Sequence, residues 1–300
     1  MYGQSKYKAD NMGMMYFAIS NEEQTVALVQ ILLKKLPLLG TLARINRGPL
    51  IIGEYDNVEE KKILINSIKI IIQECKKRWW WMLQIAPELA PDKEMDKALK
   101  KLGLKKLPIT PWSSGLLPIA LDEEEILMSL KGKWRNCLKK GLKLGVQVSL
   151  SSNSKSDIEK VIKHYKNLQQ EKNFIGLSES LIKAMVEQNH EDWVFNIFTA
   201  KARDSNNSEE YLGILVSIEH GDTAIYLIGA TTDKGRKYQS NYVLLWEAIL
   251  EAGRNGCRWF DIGGLNETTP KGIAHFKKGI QAHPYALIGE WRGFFMPKIF

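Results

Sequence analysis

The residues best suited to do chemistry lie between Tyr226 and Lys278. The stretch 223–229 reads as a buried strand, 230–240 as a polar and basic loop, 241–253 as an amphipathic helix, and 257–262 as a second strand that stops at Gly263-Gly264. Phe276-Lys277-Lys278 follows soon after. Open α/β sheets bind ligands beyond the carboxyl ends of such strands, so Lys277 can deliver an ammonium there. The chemistry indicated is group transfer on a charged substrate, with Lys277 as the first candidate. The competing reading of Lys277 is a surface lysine on a basic turn. Asp261, at the end of the second strand, either orients an incoming amine and takes its proton or caps the backbone ahead of the two glycines. Tyr226 either reaches the same cleft or packs in the core.

The elements that must hold these groups run the length of the chain. In the first hundred residues, 14–19 and 25–33 read as strands, and 42–45 and 50–52 flank a turn at 46–49. Residues 58–77 have helical spacing, and 79–85 form a strand rich in tryptophan, one of which alternates outward. A short helix at 95–102 ends at Gly103, a natural C′ glycine. Residues 116–121 then lead to a helix start where Asp122 and Glu125 have capping-box spacing. A helix over 133–144 follows. Six basic residues and no acidic one fall between Lys131 and Lys143. Its basic stripe either faces phosphate or is a solvated face. After a strand at 146–150, the serine-rich stretch 151–156 is the best candidate linker. Two helices (157–171, 178–188) and three strands (193–203, 211–219, 223–229) complete the order α-α-β-β-β-α-β. That order echoes the first half and predicts a duplicated α+β architecture without an obvious sequence repeat.

Composition bounds the remaining options. A chain of 300 residues predicts two domains. A 44% hydrophobic fraction with 25% charged residues describes a globular protein. The net charge of +8 favours anionic partners: nucleic acid, phosphorylated metabolites or an anionic membrane surface. Cys75, Cys137 and Cys257 have neither CxxC spacing nor a histidine partner, and none of the five histidines is paired at ligand spacing, so no metal is expected. The opening Met1-Tyr-Gly-Gln-Ser-Lys6 lacks the apolar core of a secretory signal. The longest apolar region, 62–72, is interrupted by Asn66 and Lys69 and is too short to span a bilayer.

Several short motifs, in order, carry a family likeness: Tyr2-Gly-Gln-Ser-Lys6, Arg44-Ile-Asn-Arg-Gly-Pro-Leu50, Leu130-Lys-Gly-Lys-Trp-Arg135, Leu138-Lys-Lys140, Gly145-Val-Gln-Val148, Tyr226-Leu-Ile-Gly-Ala230, residues 241–249, Phe260-Asp-Ile-Gly-Gly264 and Gly272-Ile-Ala-His-Phe-Lys277. Over nearly its full length the chain resembles the FemABX family of peptidyl- and aminoacyl-transferases. The resemblance implies two tandem GNAT-like domains, each a mixed, mostly antiparallel sheet flanked by helices. The acceptor-side domain is expected at 1–148 plus 288–300, with a last strand near 285–292 returning to it. The donor-side domain is expected at 149–287, and the acceptor in a groove between the two. The implied reaction moves an amino acid from aminoacyl-tRNA to an amine of a nucleotide- or lipid-linked peptidoglycan-type precursor. It takes place in the cytoplasm at the inner face of the membrane, with no cofactor beyond the donor.

The same resemblance assigns residues. Lys277, after Phe276, lies at the family's reaction centre, with Phe276 counted among the substrate contacts. Lys6 matches a lysine on the acceptor's phosphates. Arg47 either orders a loop near the acceptor or belongs to a structural turn. Lys172, in Glu171-Lys-Asn-Phe174, stands where the family has an arginine followed by Asn/Asp-Gly. Lysine forfeits bidentate phosphate binding, which puts the usual acceptor in doubt. Apart from the resemblance, Arg135, Lys139 and Lys143 on the basic stripe, and Arg236 and Asn241 around the start of the helix at 241–253, are the expected donor-side contacts. The alternative is a GNAT-type N-acyltransferase carrying an acyl thioester to an amino sugar of an envelope polysaccharide. Its pyrophosphate cradle, a glycine-rich turn at a helix N-terminus, is reduced here to Gly235 ahead of Arg236–Asn241. A third reading, a non-catalytic RNA-binding module, sits poorly with an intact Phe276-Lys277.

Overall fold

The computed structural model describes residues 12–21, 24–38, 40–151, 154–174, 176–190, 192–203 and 207–295, together with Ser5, Lys8 and Asp10. The elements are β1 (Gly13–Asn21), β2 (Gln24–Leu36), β3 (Gly40–Asn46), β4 (Leu50–Ile51), α1 (Asn57–Lys77), β5 (Trp80–Ala86), α2 (Lys93–Lys101), β6 (Lys105–Lys106), β7 (Ser113–Pro118), α3 (Glu123–Ser129), α4 (Gly132–Lys143), β8 (Gln147–Leu150), α5 (Lys155–Lys172), α6 (Glu179–Val186), β9 (Val194–Arg203), β10 (Glu209–His220), β11 (Thr223–Thr231), α7 (Asp233–Lys237), α8 (Ser240–Arg254), β12 (Trp259–Asp261), α9 (Lys271–Lys278), β13 (His283–Ala286) and β14 (Trp291–Phe294). They form two compact units, one of Met1–Trp112 with Ala286–Phe300 and one of Ser113–Tyr285.

In the first unit the sheet order is β1-β2-β3-β5-β14-β6, with β4 on β2. All pairs are antiparallel except β3 with β5, whose connection runs through α1. Asp56 starts α1 by accepting the N–H groups of Val58 and Glu59, both at 2.8 Å. Ile68, Ile71, Ile72 and Cys75 then recur at helical spacing and bury against Leu83 and Ile85. β14 returns the chain's end to this sheet by pairing with β5, and Glu290 just ahead of it takes a fork from Arg44 at 3.0 and 3.1 Å.

The second unit's sheet runs β13-β7-β12-β11-β10-β9-β8. It too holds a parallel pair, β11 with β12, connected through α7 and α8. The α+β class and the two mixed, mostly antiparallel sheets are as expected.

The dividing points differ from the expectation at 148/149 and 287/288. Residues 113–148 join the second unit because β7 pairs with β12, Leu116 opposite Asp261 and Pro118 opposite Trp259. Trp134 and Leu138 of α4 also share a core with Val243 and Leu245 of α8. The serine-rich stretch is therefore inside this unit. The Ser151 and Ser154 hydroxyls bond the Asp157 carboxylate at 2.5 and 2.7 Å, which starts α5. Residues 230–240 are not all loop either. Thr232 caps the short helix α7 through the Gly235 N–H.

Candidate active site

β11 and β12 pair over only three residues, Thr223–Ile225 against Trp259–Asp261. Beyond that β12 ends, while β11 continues to Thr231. On its other side β11 carries a bulge: Ser217 faces Tyr226, Val216 faces Ile228, and Leu227 is left over. Bulges re-aim side chains and gather next to functional sites. The opening between the two strand ends is where Asp261, Tyr226 and Lys277 meet.

Lys277 is buried, 6% exposed, in the last turn of α9. Its Nζ donates to the Gly264 carbonyl at 3.1 Å and lies 4.7 Å from the centre of the Tyr226 ring. Burial pushes its pKa from 10.5 down to about 8, and the Asp261 charge opposes that fall. An ammonium has three donors. Gly264 takes one, and among the described residues no other hydrogen bond to Nζ is made, which leaves donors for an incoming oxyanion. The surface-turn reading of Lys277 is thereby excluded.

The turn that presents Gly264 is fixed by Asp261. Its Oδ1 accepts the Gly263 N–H at 2.8 Å and bonds the Ser114 hydroxyl, and its Oδ2 accepts Tyr285 Oη at 2.6 Å. Gly263 sits at φ +70°, and an added Cβ there would collide with the Tyr226 carbonyl and crowd Lys277 Nζ. Asp261 is thus the backbone cap of the 261–264 turn and at the same time the buried countercharge of Lys277. Ser114 and Tyr285 escaped the sequence reading. Ser114 lies 147 residues from Asp261 and reaches it only through β7 pairing, for which a Ser-Ser-Gly strand start gives no chemical signal.

Phe276, expected as a substrate contact, packs inside the unit and places α9. Its ring packs with Trp134 of α4 at 6.2 Å, stacked, and with Tyr242 of α8 at 5.0 Å, edge-on. Tyr226 is enclosed enough that burial raises its phenol above the ordinary tyrosine value, with Tyr165 of α5 adding to the effect. A side chain on Gly229 would overlap its hydroxyl.

The remaining candidates are spread out. Arg47 belongs to the first unit, where it pairs with Glu88 at 2.5 Å and lies over Trp112 at 5.8 Å. Arg135 donates one guanidinium nitrogen to the Met128 and Leu130 carbonyls at 2.8 and 3.2 Å and closes the end of α3. Lys139 and Lys143 are exposed on α4. Arg236 is held by the Thr231 carbonyl at 3.0 Å and by Asp233. Asn241 is half-buried in the first turn of α8, and Lys172 is exposed at the end of α5 beside Asn173, whose φ of 48° fills the place expected of glycine. Lys6 lies outside the described residues. Among the described residues no group of three His, Cys, Asp or Glu is arranged to hold a metal ion, and no helix is long and apolar enough to cross a membrane.

Comparison with known proteins agrees with this architecture. Residues 155–297 match the model of the FemAB family. The chain is 27% identical over 269 residues to a lipid II:glycine glycyltransferase of Staphylococcus aureus, covering 85% of this chain and 62% of that protein. It therefore spans less than two thirds of that relative. The crystal structure of FemX superposes with a TM-score of 0.79 at 20% identity, covering 98% of this chain and 90% of FemX. A tandem GNAT protein from the clavulanic acid biosynthesis pathway gives a TM-score of 0.60 at 11% identity, covering 96% of this chain and 84% of its own. The family match thus lies across the unit that holds Lys277, and the fold of the chain is similar to that of FemX.

Proposed function

We propose that this protein is an aminoacyltransferase that moves an amino acid from aminoacyl-tRNA onto an amine of a nucleotide- or lipid-linked peptidoglycan-type precursor, at the inner face of the membrane. The observation that carries the reading is the buried Lys277 ammonium, held by the Gly264 carbonyl with donors to spare. The donor ester is already activated, so no covalent enzyme intermediate is required. The acceptor amine attacks the ester carbonyl, and the C–N bond forms as the C–O bond to the tRNA ribose breaks. The amine's proton ends on the departing hydroxyl. Lys277 donates to the carbonyl oxygen as it becomes anionic, in a site where water is scarce and such a contact is strong. No cofactor is needed beyond the donor. The glycyltransferase relative is named for lipid II, which supports an acceptor of that class.

One feature favours a second reading, an acyl-CoA-dependent N-acyltransferase: α8 begins without a side-chain cap, leaving backbone donors at its positive end. Gly235 works against it. That residue packs so closely on the Leu212 carbonyl that its role is helix–strand approach, not a phosphate cradle.

The two readings separate in one assay. Purified protein is given labelled aminoacyl-tRNA or acyl-CoA with lipid II or its nucleotide precursor. Transfer of label from tRNA, abolished by prior ribonuclease, is expected. Ribonuclease-resistant transfer from acyl-CoA would overturn the proposal.

A further inference from the structure

One rim of the first unit's sheet exposes large apolar side chains among cations. Because β2, β3, β5 and β14 are successive neighbours, the β2–β3 turn, the start of β5 and the end of β14 lie side by side: Thr41 pairs with Trp80 and Phe294 with Met82. The turn carries Leu38, which is fully exposed. Trp79, just ahead of β5, is 63% exposed, and Phe294 is 59% exposed. Trp81 stacks on Phe294 with ring centroids 5.5 Å apart. Lys34, Lys35, Lys76, Lys77 and Arg78 are exposed around them. The nearby Glu74 is occupied by Arg78 at 2.8 Å and Lys77 at 3.7 Å.

The backbone adds a second observation. Leu38 and Trp79 sit at φ 63° and 60°, the left-handed region that bulky residues rarely enter. The tight β2–β3 turn and the end of α1 account for the left-handed backbone, but neither requires a large apolar side chain there, and both side chains face solvent. Water penalises such a projection. A nucleic acid would reward the cations and the rings but not Leu38. An anionic bilayer rewards all of them, because tryptophan and phenylalanine settle at the headgroup level, aliphatics enter the acyl boundary and lysines meet phosphate.

We propose that this rim docks the protein on the surface of a bilayer rich in anionic phospholipid, with Leu38, Trp79 and Phe294 entering the headgroup–acyl boundary. Docking is measured without turnover, so it stands or falls apart from the transfer reaction. The test is flotation of the full chain with phosphatidylcholine vesicles, with and without phosphatidylglycerol, at about 0.1 M salt. Binding is expected only with phosphatidylglycerol. Leu38→Ser with Trp79→Ser lowers it about tenfold or more. Lys34→Gln, Lys35→Gln and Lys77→Gln together lower it and flatten its salt dependence, and this second variant decides the matter should the first fail to fold. Equal binding to both vesicle types, or unaltered binding by the folded variants, overturns the proposal. So does absent vesicle binding together with either RNA binding or self-association that the same substitutions abolish, which would give the surface to nucleic acid or to a second copy.

Discussion

Lys277 is held at a cost to folding, and the cost has a pH signature. Below pH 8 the folded and unfolded chains both carry its ammonium, and the folded one keeps it away from water. Between about 8 and 10.5 the folded chain releases the proton first, so stability rises with pH across that window. Above it both forms are neutral. At about 1.4 kcal/mol per pH unit, the fall from 10.5 to about 8 amounts to about 3 kcal/mol. Lys277→Met, of similar volume, should therefore be more stable than the parent at pH 7 by up to about 3 kcal/mol, with the gap closing between pH 8 and 10.5. Urea midpoints at pH 7, 9 and 10.5 read this directly. A variant less stable than the parent at pH 7 would mean that the Gly264 and Asp261 contacts outweigh desolvation. A site that gives up stability to hold a cation is the expected exception to a well-packed interior.

At the level of elements, the hydrophobic periods and caps that are local in sequence were legible. The Asp122–Glu125 capping box is present, with Glu125 N–H on Asp122 at 2.9 Å and the return contact at 3.4 Å. The strand–helix–strand unit ahead of Lys277 formed as read, because its signals lie within fifty residues. Two parts were not legible. The Ser114–Asp261–Tyr285 clamp depends on strands far apart in sequence being neighbours, which periodicity does not encode. The short helix α9 was also missed, since eight residues give little more than two turns of pattern. What fixes α9 is tertiary: Phe276 wedged between Trp134 and Tyr242. Phe276→Ala should cost about 3–5 kcal/mol in unfolding free energy and also lower transfer activity, because Lys277 is the next residue. Phe276→Leu should recover most of the stability. Equal stability of the parent and Phe276→Ala in a denaturant titration would remove the aromatic trio as the anchor of α9.

At the scale of the whole chain, the net charge of +8 is spent unevenly. Arg135 and Arg236, two of the cations expected to meet a donor, each donate to a carbonyl of their own unit. Lys139 and Lys143 remain exposed on α4, whose described surface carries no acidic residue. Composition could not distinguish these cases, because whether an arginine closes a helix or faces solvent is decided by where the preceding helix ends. The exposed pair gives the donor proposal a quantitative form. Each lysine that neutralises a phosphate contributes about 0.7 to 0.9 to the slope of log affinity against log salt. Lys139→Gln with Lys143→Gln should then lower tRNA affinity and flatten that slope by about 1.5, while thermal stability stays near the parent's because both side chains lie in solvent. Filter binding of tRNA from about 50 to 200 mM salt measures it. An unchanged slope would leave α4 a solvated face and require the tRNA phosphates to be met elsewhere on the surface.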